Sequence, residues 1–144
     1  MNKYPTWSRE YAQERAKAGP RPGQLLRQDV YKNNSEIFLA GGYTTESGSQ
    51  VAIPADDPML DGTKVYAEAF DVNDVPACTD AVSTDVVNLD CLLVAKELLA
   101  EGYNPAVMNL ADAYTACGWY KRGSRAQEEA LCRSTTLSRS LFQF

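Results

Sequence analysis

The sequence predicts an α/β fold built as one domain. The chain has 144 residues, of which 44% are hydrophobic, so it is long enough for one domain with a core and too short for two. The clearest element is the segment 88–102, NLDCLLVAKELLAEG, where leucines recur at helical spacing and a glycine supplies the stop. Short apolar segments at 81–87 and 105–111 precede and follow it. A helix between two strands predicts a βαβ unit, from which α/β sheets are built.

The N-terminal part of the chain is predicted to be helical. Residues 6–18 are predicted to form a helix that stops at Gly19, so residues 1–20 are interpreted as a helical arm outside the domain at 21–144. A second helix is expected from Gln24 to about Leu39, ended by Gly41 and Gly42.

Two strands are expected between this second helix and the βαβ unit. They lie at 49–53 and 63–70, and the segment 54–62, PADDPMLDG, is the polar loop between them. In the helix of the βαβ unit, one stripe of leucines is expected to form core, namely Leu89, Leu92, Leu93, Leu98 and Leu99.

Charge and composition exclude several classes of protein. A net charge of −5 argues against a general nucleic-acid binder that neutralises phosphates. No apolar segment approaches the ~20 residues that span a bilayer, and the N-terminus lacks the apolar segment of a signal peptide. We therefore expect a cytoplasmic protein that binds neither membrane nor nucleic acid.

The cysteines and the absence of histidine limit the available chemistry. The widely spaced Cys78, Cys91, Cys117 and Cys132 form no Cys-x-x-Cys pair, and the chain has no histidine. We expect reduced thiols, no metal site and no cofactor. Catalysis in such a chain must depend on carboxylates or on activated water.

The segment 123–136, GSRAQEEALCRSTT, contains two adjacent acids at a predicted helix start. Ser124 and Gln127 have the spacing of a capping box, which places Glu128 and Glu129 in the first or second turn. Acids at this position are commonly explained by the helix dipole, so two hypotheses remain: first-turn acids, or a paired-carboxylate site. Positive charge gathers around this pair, because residues 113–144 carry a net charge of +3.

The order of these segments resembles one family. A strand ending in VMNLADA, a loop with glycine, and RGSRAQEEALCRSTTL are similar to the N-terminal part of the catalytic domain of microbial-type poly(ADP-ribose) glycohydrolases. The matching positions are Asn109, Ala111, Gln127, Glu128, Glu129, Leu131, Arg133, Ser134 and Leu137. The loop departs from the family's glycine run, since Cys117 and Trp119 flank Gly118.

The resemblance implies a fold and an activity. The fold is part of a macrodomain-like three-layer arrangement, with a mixed sheet flanked by helices and truncated at its C-terminal side. The activity is hydrolysis of ADP-ribose glycosidic bonds, either ribose–ribose or protein-linked, and the partner is ADP-ribose or ADP-ribosylated protein. Glu129 is implied as the catalytic acid and base, and the implied substrate-binding residues are Glu128, Gln127, Asn109, Ala111 and Gly118.

Three functions remain open from the sequence. The chain is a glycohydrolase, or a non-catalytic module that binds ADP-ribose, or a fragment with a structural role. An oxocarbenium-like transition state suits the first, because a carboxylate stabilises its charge and a carboxylic acid protonates the leaving oxygen.

Overall fold

The computed structural model describes residues 19–68, 71, 73 and 81–143. The chain divides into two compact units. The first unit comprises the chain up to Asp61 together with the chain from Leu110 onward, and the second unit is Gly62–Asn109. The helix predicted at 6–18 lies outside the described residues.

The first unit begins with helix α1, Gln24–Ala40, which confirms the helix predicted here. Gly41 ends it in the left-handed conformation at φ 72°, and its N–H donates to the carbonyls of Ile37 and Phe38. None of its side chains is fully buried. Helix α1 is therefore attached to the rest of the unit more by polar contacts than by an apolar face.

A two-stranded antiparallel hairpin follows α1. Strand β1, Gly42–Thr44, pairs with β2, Gln50–Ala52, with Tyr43 opposite Val51. The strand predicted at 49–53 is confirmed as β2, while its partner β1 was not foreseen. Gly42 is required at φ 157°, since a Cβ there would collide with the carbonyl oxygen of Val51.

The segment predicted as a polar loop contains a short helix, α2, Pro58–Gly62. Asp57 begins it by accepting a hydrogen bond from the Met59 N–H at 3.0 Å. Asp57 also forms an ion pair of 3.5 Å with Arg139, which donates to the carbonyl of Pro54 at 3.0 Å. This links the C-terminal end of the first unit to the segment after the hairpin.

The second unit contains helix α3, Cys91–Ala100, which confirms the predicted helix. Asp90 caps it by accepting from the Leu92 N–H at 2.9 Å. The leucine stripe, however, is not core: no residue of α3 is buried, and Leu93 and Leu99 are more than half exposed.

The strands expected around α3 were predicted wrongly. The described parts of 63–70 and 81–87, and the whole of 105–111, adopt no strand conformation. A strand needs a neighbouring strand that pairs with its backbone N–H and C=O groups, and the sheet of the described residues consists of β1 and β2. The described residues therefore combine helices with one two-stranded antiparallel sheet, β1–β2, rather than the predicted βαβ unit.

The small core of the first unit lies under two C-terminal helices. Helix α4, Gln127–Ser134, and helix α5, Leu137–Leu141, follow a 3-10 turn at Tyr120–Arg122. The buried side chains of this core are Cys117, Tyr120 and Cys132, against which Tyr31, Leu137 and Leu141 pack. The rings of Tyr31 and Tyr120 meet edge to face, with 5.0 Å between centroids. The core therefore joins α1, the segment 117–120 and α4.

Candidate active site

The site begins where α4 begins, at Gln127. The expected capping box does not form, because the N-cap is Ala126 and the cap makes no side-chain hydrogen bond. Gln127 Oε1 instead accepts from the Leu110 N–H at 2.8 Å, and Arg133 Nη1 donates to the Ser124 carbonyl at 2.6 Å. Tertiary partners have replaced the local cap, and Gln127 attaches the segment at Leu110 to the helix start.

Both glutamates lie in the first turn of α4, as predicted, and both are buried. Glu128 is 3% exposed and Glu129 is 5% exposed. First-turn acids that serve only the helix dipole stay in solvent, where a carboxylate is hydrated at no cost. Burial of two neighbouring carboxylates therefore favours the functional hypothesis over simple capping.

Backbone amides of the segment 112–119 hold the two carboxylates. Glu128 Oε2 accepts from the Asp112 N–H at 2.8 Å, and Glu128 Oε1 accepts from the Cys117 N–H at 3.1 Å. Glu129 Oε1 accepts from the Trp119 N–H at 2.9 Å. These bonds offset part of the cost of burial, because an N–H aimed at a carboxylate is a charge-assisted donor.

The conformation of this segment explains why its amides point at the glutamates. Asp112 Oδ1 accepts from the N–H groups of Tyr114 and Thr115, both at 2.9 Å, which closes an Asx turn. Cys117 and Gly118 then follow in the left-handed region, at φ 63° and φ 52°. Left-handed residues reverse the direction of the N–H groups around them, and the turn is concave toward anions.

Gly118 lies against both carboxylates. A Cβ at this position would be 2.6 Å from Glu129 Oε1 and 3.1 Å from Glu128 Oε2. Real Cβ atoms do not approach an oxygen to 2.6 Å, so only glycine fits here without displacing the Glu129 carboxylate. Gly118, predicted as a binding residue, is brought directly to the glutamate pair.

One oxygen of the site is left without a donor. Glu129 Oε2 is buried and has no hydrogen-bond partner among the residues that the structure describes. A buried carboxylate oxygen without a donor is costly, and such atoms in native proteins commonly serve chemistry or ligand binding. Oε2 therefore has unused hydrogen-bonding capacity.

Helix α1 binds the C-terminal end of the loop that precedes α4, at Arg122 and Gly123, and the sequence did not reveal these contacts. Gln24 Nε2 and Gln28 Nε2 donate to the Arg122 carbonyl at 2.8 and 3.1 Å, and Arg27 Nε donates to the Gly123 carbonyl at 2.7 Å. These contacts join residues more than 90 positions apart, so no local pattern signals them. They fix the backbone whose amides bind the glutamates.

Asn34, also on α1, connects the loop to the glutamate helix. Its Nδ2 donates to Tyr120 Oη and to the Arg133 carbonyl, both at 3.0 Å. Burial raises the pKa of Tyr120, with the Asn34 hydrogen bond acting against that effect. Burial and the neighbouring Arg27 lower the pKa of Arg133.

Two cysteines occupy the floor of the site, and we call Cys117 and Cys132 the core thiols. Both are free and buried. Their mutual interaction lowers the pKa of Cys117 and raises that of Cys132, which burial raises further. Cys91 is also free but exposed, whereas Cys78 lies outside the described residues.

The remaining predicted residues are placed less closely. Ala111 is exposed, between the two residues whose N–H groups bind Gln127 and Glu128. Asn109 is the last residue of the second unit, and its Oδ1 is buried with no hydrogen-bond partner in the described chain. Four of the six predicted residues, Gly118, Gln127, Glu128 and Glu129, are therefore brought together at one site.

Two neighbouring carboxylates, one of which has an oxygen without a donor in the described chain, are the type of residue pair that glycosidases use. The family model for "Microbial-type PARG, catalytic domain" matches residues 32–144, and the chain belongs to this poly(ADP-ribose) glycohydrolase family. The family hydrolyses ADP-ribose glycosidic bonds and acts on ADP-ribose polymers or ADP-ribosylated substrates. No curated protein and no solved structure matches the chain. Within the described residues, no helix is long and apolar enough to cross a membrane.

Proposed function

We propose that this chain hydrolyses ADP-ribose glycosidic bonds, ribose–ribose or protein-linked, with Glu129 as the catalytic acid and base. The observation that carries the proposal is Glu129 Oε2, a buried carboxylate oxygen with no partner in the described chain. Family membership supplies the substrate class. We also propose a cytoplasmic location and, as the resemblance implies, a macrodomain-like fold for the domain at 21–144.

The hydrogen bonds divide the work between the two oxygens of Glu129. Oε1 is held by the Trp119 N–H, which sets the direction of the carboxyl group. Oε2 is then the oxygen that gives a proton to the leaving sugar oxygen and takes one from the attacking water. Glu129 lies in the first turn of α4, and the group that holds its carboxylate is the backbone N–H of Trp119 rather than a mobile side chain.

Glu128 has a different role, because both of its oxygens already accept backbone N–H groups. A carboxylate oxygen has more than one lone pair, so Glu128 retains capacity to accept ribose hydroxyls while staying immobile. It positions the sugar and contributes negative charge beside the oxocarbenium-like transition state. Gln127 holds the segment at Leu110, and Gly118 gives the sugar close access to the pair. For Asn109 and Ala111, a substrate-binding role stays a prediction from the resemblance.

The test is a set of single substitutions of glutamates. Glu129→Gln keeps the shape but cannot exchange a proton, so hydrolysis of ADP-ribosylated protein should fall by about 10²-fold or more, with ADP-ribose binding retained. Glu128→Ala should weaken binding as well. Glu36→Gln, on the exposed surface of α1, is the matched control and should behave like the parent. Unchanged turnover in Glu129→Gln would overturn the assignment.

A non-catalytic ADP-ribose binding module is the alternative, and one observation favours it. Cys117 occupies a left-handed conformation at φ 63°, and bulky Trp119 stands beside Gly118, where the family has a glycine run. Binding of ADP-ribose without turnover in the unsubstituted protein would favour this alternative. Absence of both binding and turnover would leave a structural role.

A further inference from the structure

A peptide group in the loop that precedes α4 is bound on both of its sides. It joins Gly123 to Ser124, and the Arg27 Nε of α1 donates to its carbonyl oxygen at 2.7 Å. Its N–H, which belongs to Ser124, donates to the Trp119 carbonyl at 3.2 Å. Because a peptide group is planar, fixing its carbonyl also fixes the direction of its N–H. Arg27 therefore sets the orientation of a donor that binds Trp119.

The backbone of Trp119 extends this constraint to the proposed catalytic acid and base. Its carbonyl accepts the N–H of Ser124 and, at 2.9 Å, that of Arg122. Its own N–H donates to Glu129 Oε1 at 2.9 Å. Hydrogen bonds in such a chain orient and polarise one another. Three successive hydrogen bonds therefore lead from the Arg27 side chain to the Glu129 carboxylate, and we call them the Arg27 relay.

The loop and the start of α1 are packed closely at the first bond of this relay. Gly123 adopts φ 72°, and a Cβ there would collide with the Gln24 carbonyl oxygen. Arg27 is half-buried, and a charged donor makes a stronger hydrogen bond than a neutral one. Within the described residues, no acid forms an ion pair with Arg27. The guanidinium therefore serves the backbone of the loop rather than a neighbouring carboxylate.

Arg27 precedes the part of the chain that the family model matches, residues 32–144. Family membership therefore assigns this side chain no role. A side chain that orients a catalytic group through the backbone controls the rate without touching the substrate, because a displacement of ~1 Å can cost about 10²-fold in rate.

We propose that Arg27 is a positioning residue for hydrolysis, which holds the Glu129 carboxylate in its reactive direction through the Arg27 relay. This inference rests on the proposed function and deepens it, since it names a residue that controls the rate from outside the site. Glu128 is held separately, by the N–H groups of Asp112 and Cys117. Loss of Arg27 therefore lowers kcat and leaves the binding of the sugar largely unchanged.

Arg27→Met tests the proposal, because methionine keeps an unbranched side chain and a similar helix propensity but removes the donor. With ADP-ribosylated protein as substrate, kcat should fall by about tenfold or more, while KM changes by less than about twofold. Arg27→Lys, which keeps the charge but lacks the Nε donor, should show a smaller loss of kcat. In hydrogen–deuterium exchange followed by NMR, the Trp119 amide of Arg27→Met should exchange about tenfold faster than that of the parent.

Arg139→Met is the matched control. Arg139 is also a half-buried arginine on a helix, and it donates to the Pro54 carbonyl and pairs with Asp57. Because it loses an ion pair as well as a hydrogen bond to a carbonyl, this variant should destabilise the protein at least as much as Arg27→Met in denaturant unfolding. It should nevertheless keep the parent's kcat and the parent's rate of Trp119 amide exchange.

The outcomes separate this inference from the proposed function. A parent-like kcat in both Arg27 variants, a loss confined to KM, an equal loss of kcat in Arg139→Met, or unchanged exchange of the Trp119 amide would overturn the role of Arg27. Absence of turnover in the unsubstituted protein would instead overturn the proposed function, and the Trp119 exchange would still decide whether Arg27 holds the loop.

Discussion

Gly118→Ala tests the central feature of the site, the close approach of the loop to the carboxylates, without any assay of activity. An alanine at φ 52° costs about 1–2 kcal/mol in the left-handed conformation. Its Cβ would also be 2.6 Å from Glu129 Oε1, so the carboxyl group must move. The end of a glutamate is flexible, but this one is buried and bound to the Trp119 N–H. Breaking that bond costs a further ~1.5–3 kcal/mol.

Gly48 provides the matched control. It lies in the turn between β1 and β2 at φ 85°, and a Cβ there would meet nothing within 4 Å. Gly48→Ala therefore carries the backbone strain alone, about 1–2 kcal/mol, and Gly118→Ala should exceed it by about 2 kcal/mol.

The assay is denaturant unfolding of both variants, followed by circular dichroism, with thermal unfolding beside it. For a chain of this length ~1 kcal/mol corresponds to ~3–5 °C in Tm, so the two variants should differ by several degrees. Equal free energies of unfolding for Gly118→Ala and Gly48→Ala would refute the reasoning, since the contact with the carboxylates would then contribute nothing.

Three further predictions concern the rest of the first unit. Asn34→Ala removes two hydrogen bonds and should lower the free energy of unfolding by about 2 kcal/mol, whereas Asn33→Ala, exposed on the same helix, should have little effect in the same denaturant titration. Burial raises the pKa of Tyr120 above 10.0, so the stability that this group contributes is present below its unfolded pKa and is lost as pH rises through the folded pKa. Tyr120→Phe should flatten the loss of stability above pH ~10, and an unchanged alkaline slope would contradict this. In a Cys78→Ser background, Ellman's reagent should react at once with Cys91 and with the core thiols only on unfolding; a rapid titre of three thiols would show that the floor of the site is open.

The sequence alone predicted those features that depend on neighbours along the chain. Helix α1 and its stop at Gly41 follow from local spacing and from a glycine that adopts φ 72° freely. Helix α3 was predicted by the same local signals, and so was the position of Glu128 and Glu129 in the first turn of α4. The order of residue types around Gln127 also identified the family, because a sequence motif is read directly from the chain and needs no structure.

Tertiary structure alone decided whether those residues form a site. Periodicity encodes which face of a helix is apolar but not whether a partner covers it, and the exposed leucines of α3 show the difference. The capping box predicted between Ser124 and Gln127 does not form, because the Gln127 side chain accepts instead from the Leu110 N–H, 17 residues away. Glu128 and Glu129 are buried because Cys117 and Gly118 turn left-handed and direct amides at them, while α1 holds that loop from across the chain. Backbone direction and contacts between distant segments have no signature in local sequence. The resemblance therefore named Glu128 and Glu129 as candidate site residues, but their burial and their hydrogen bonds appear only in the folded chain.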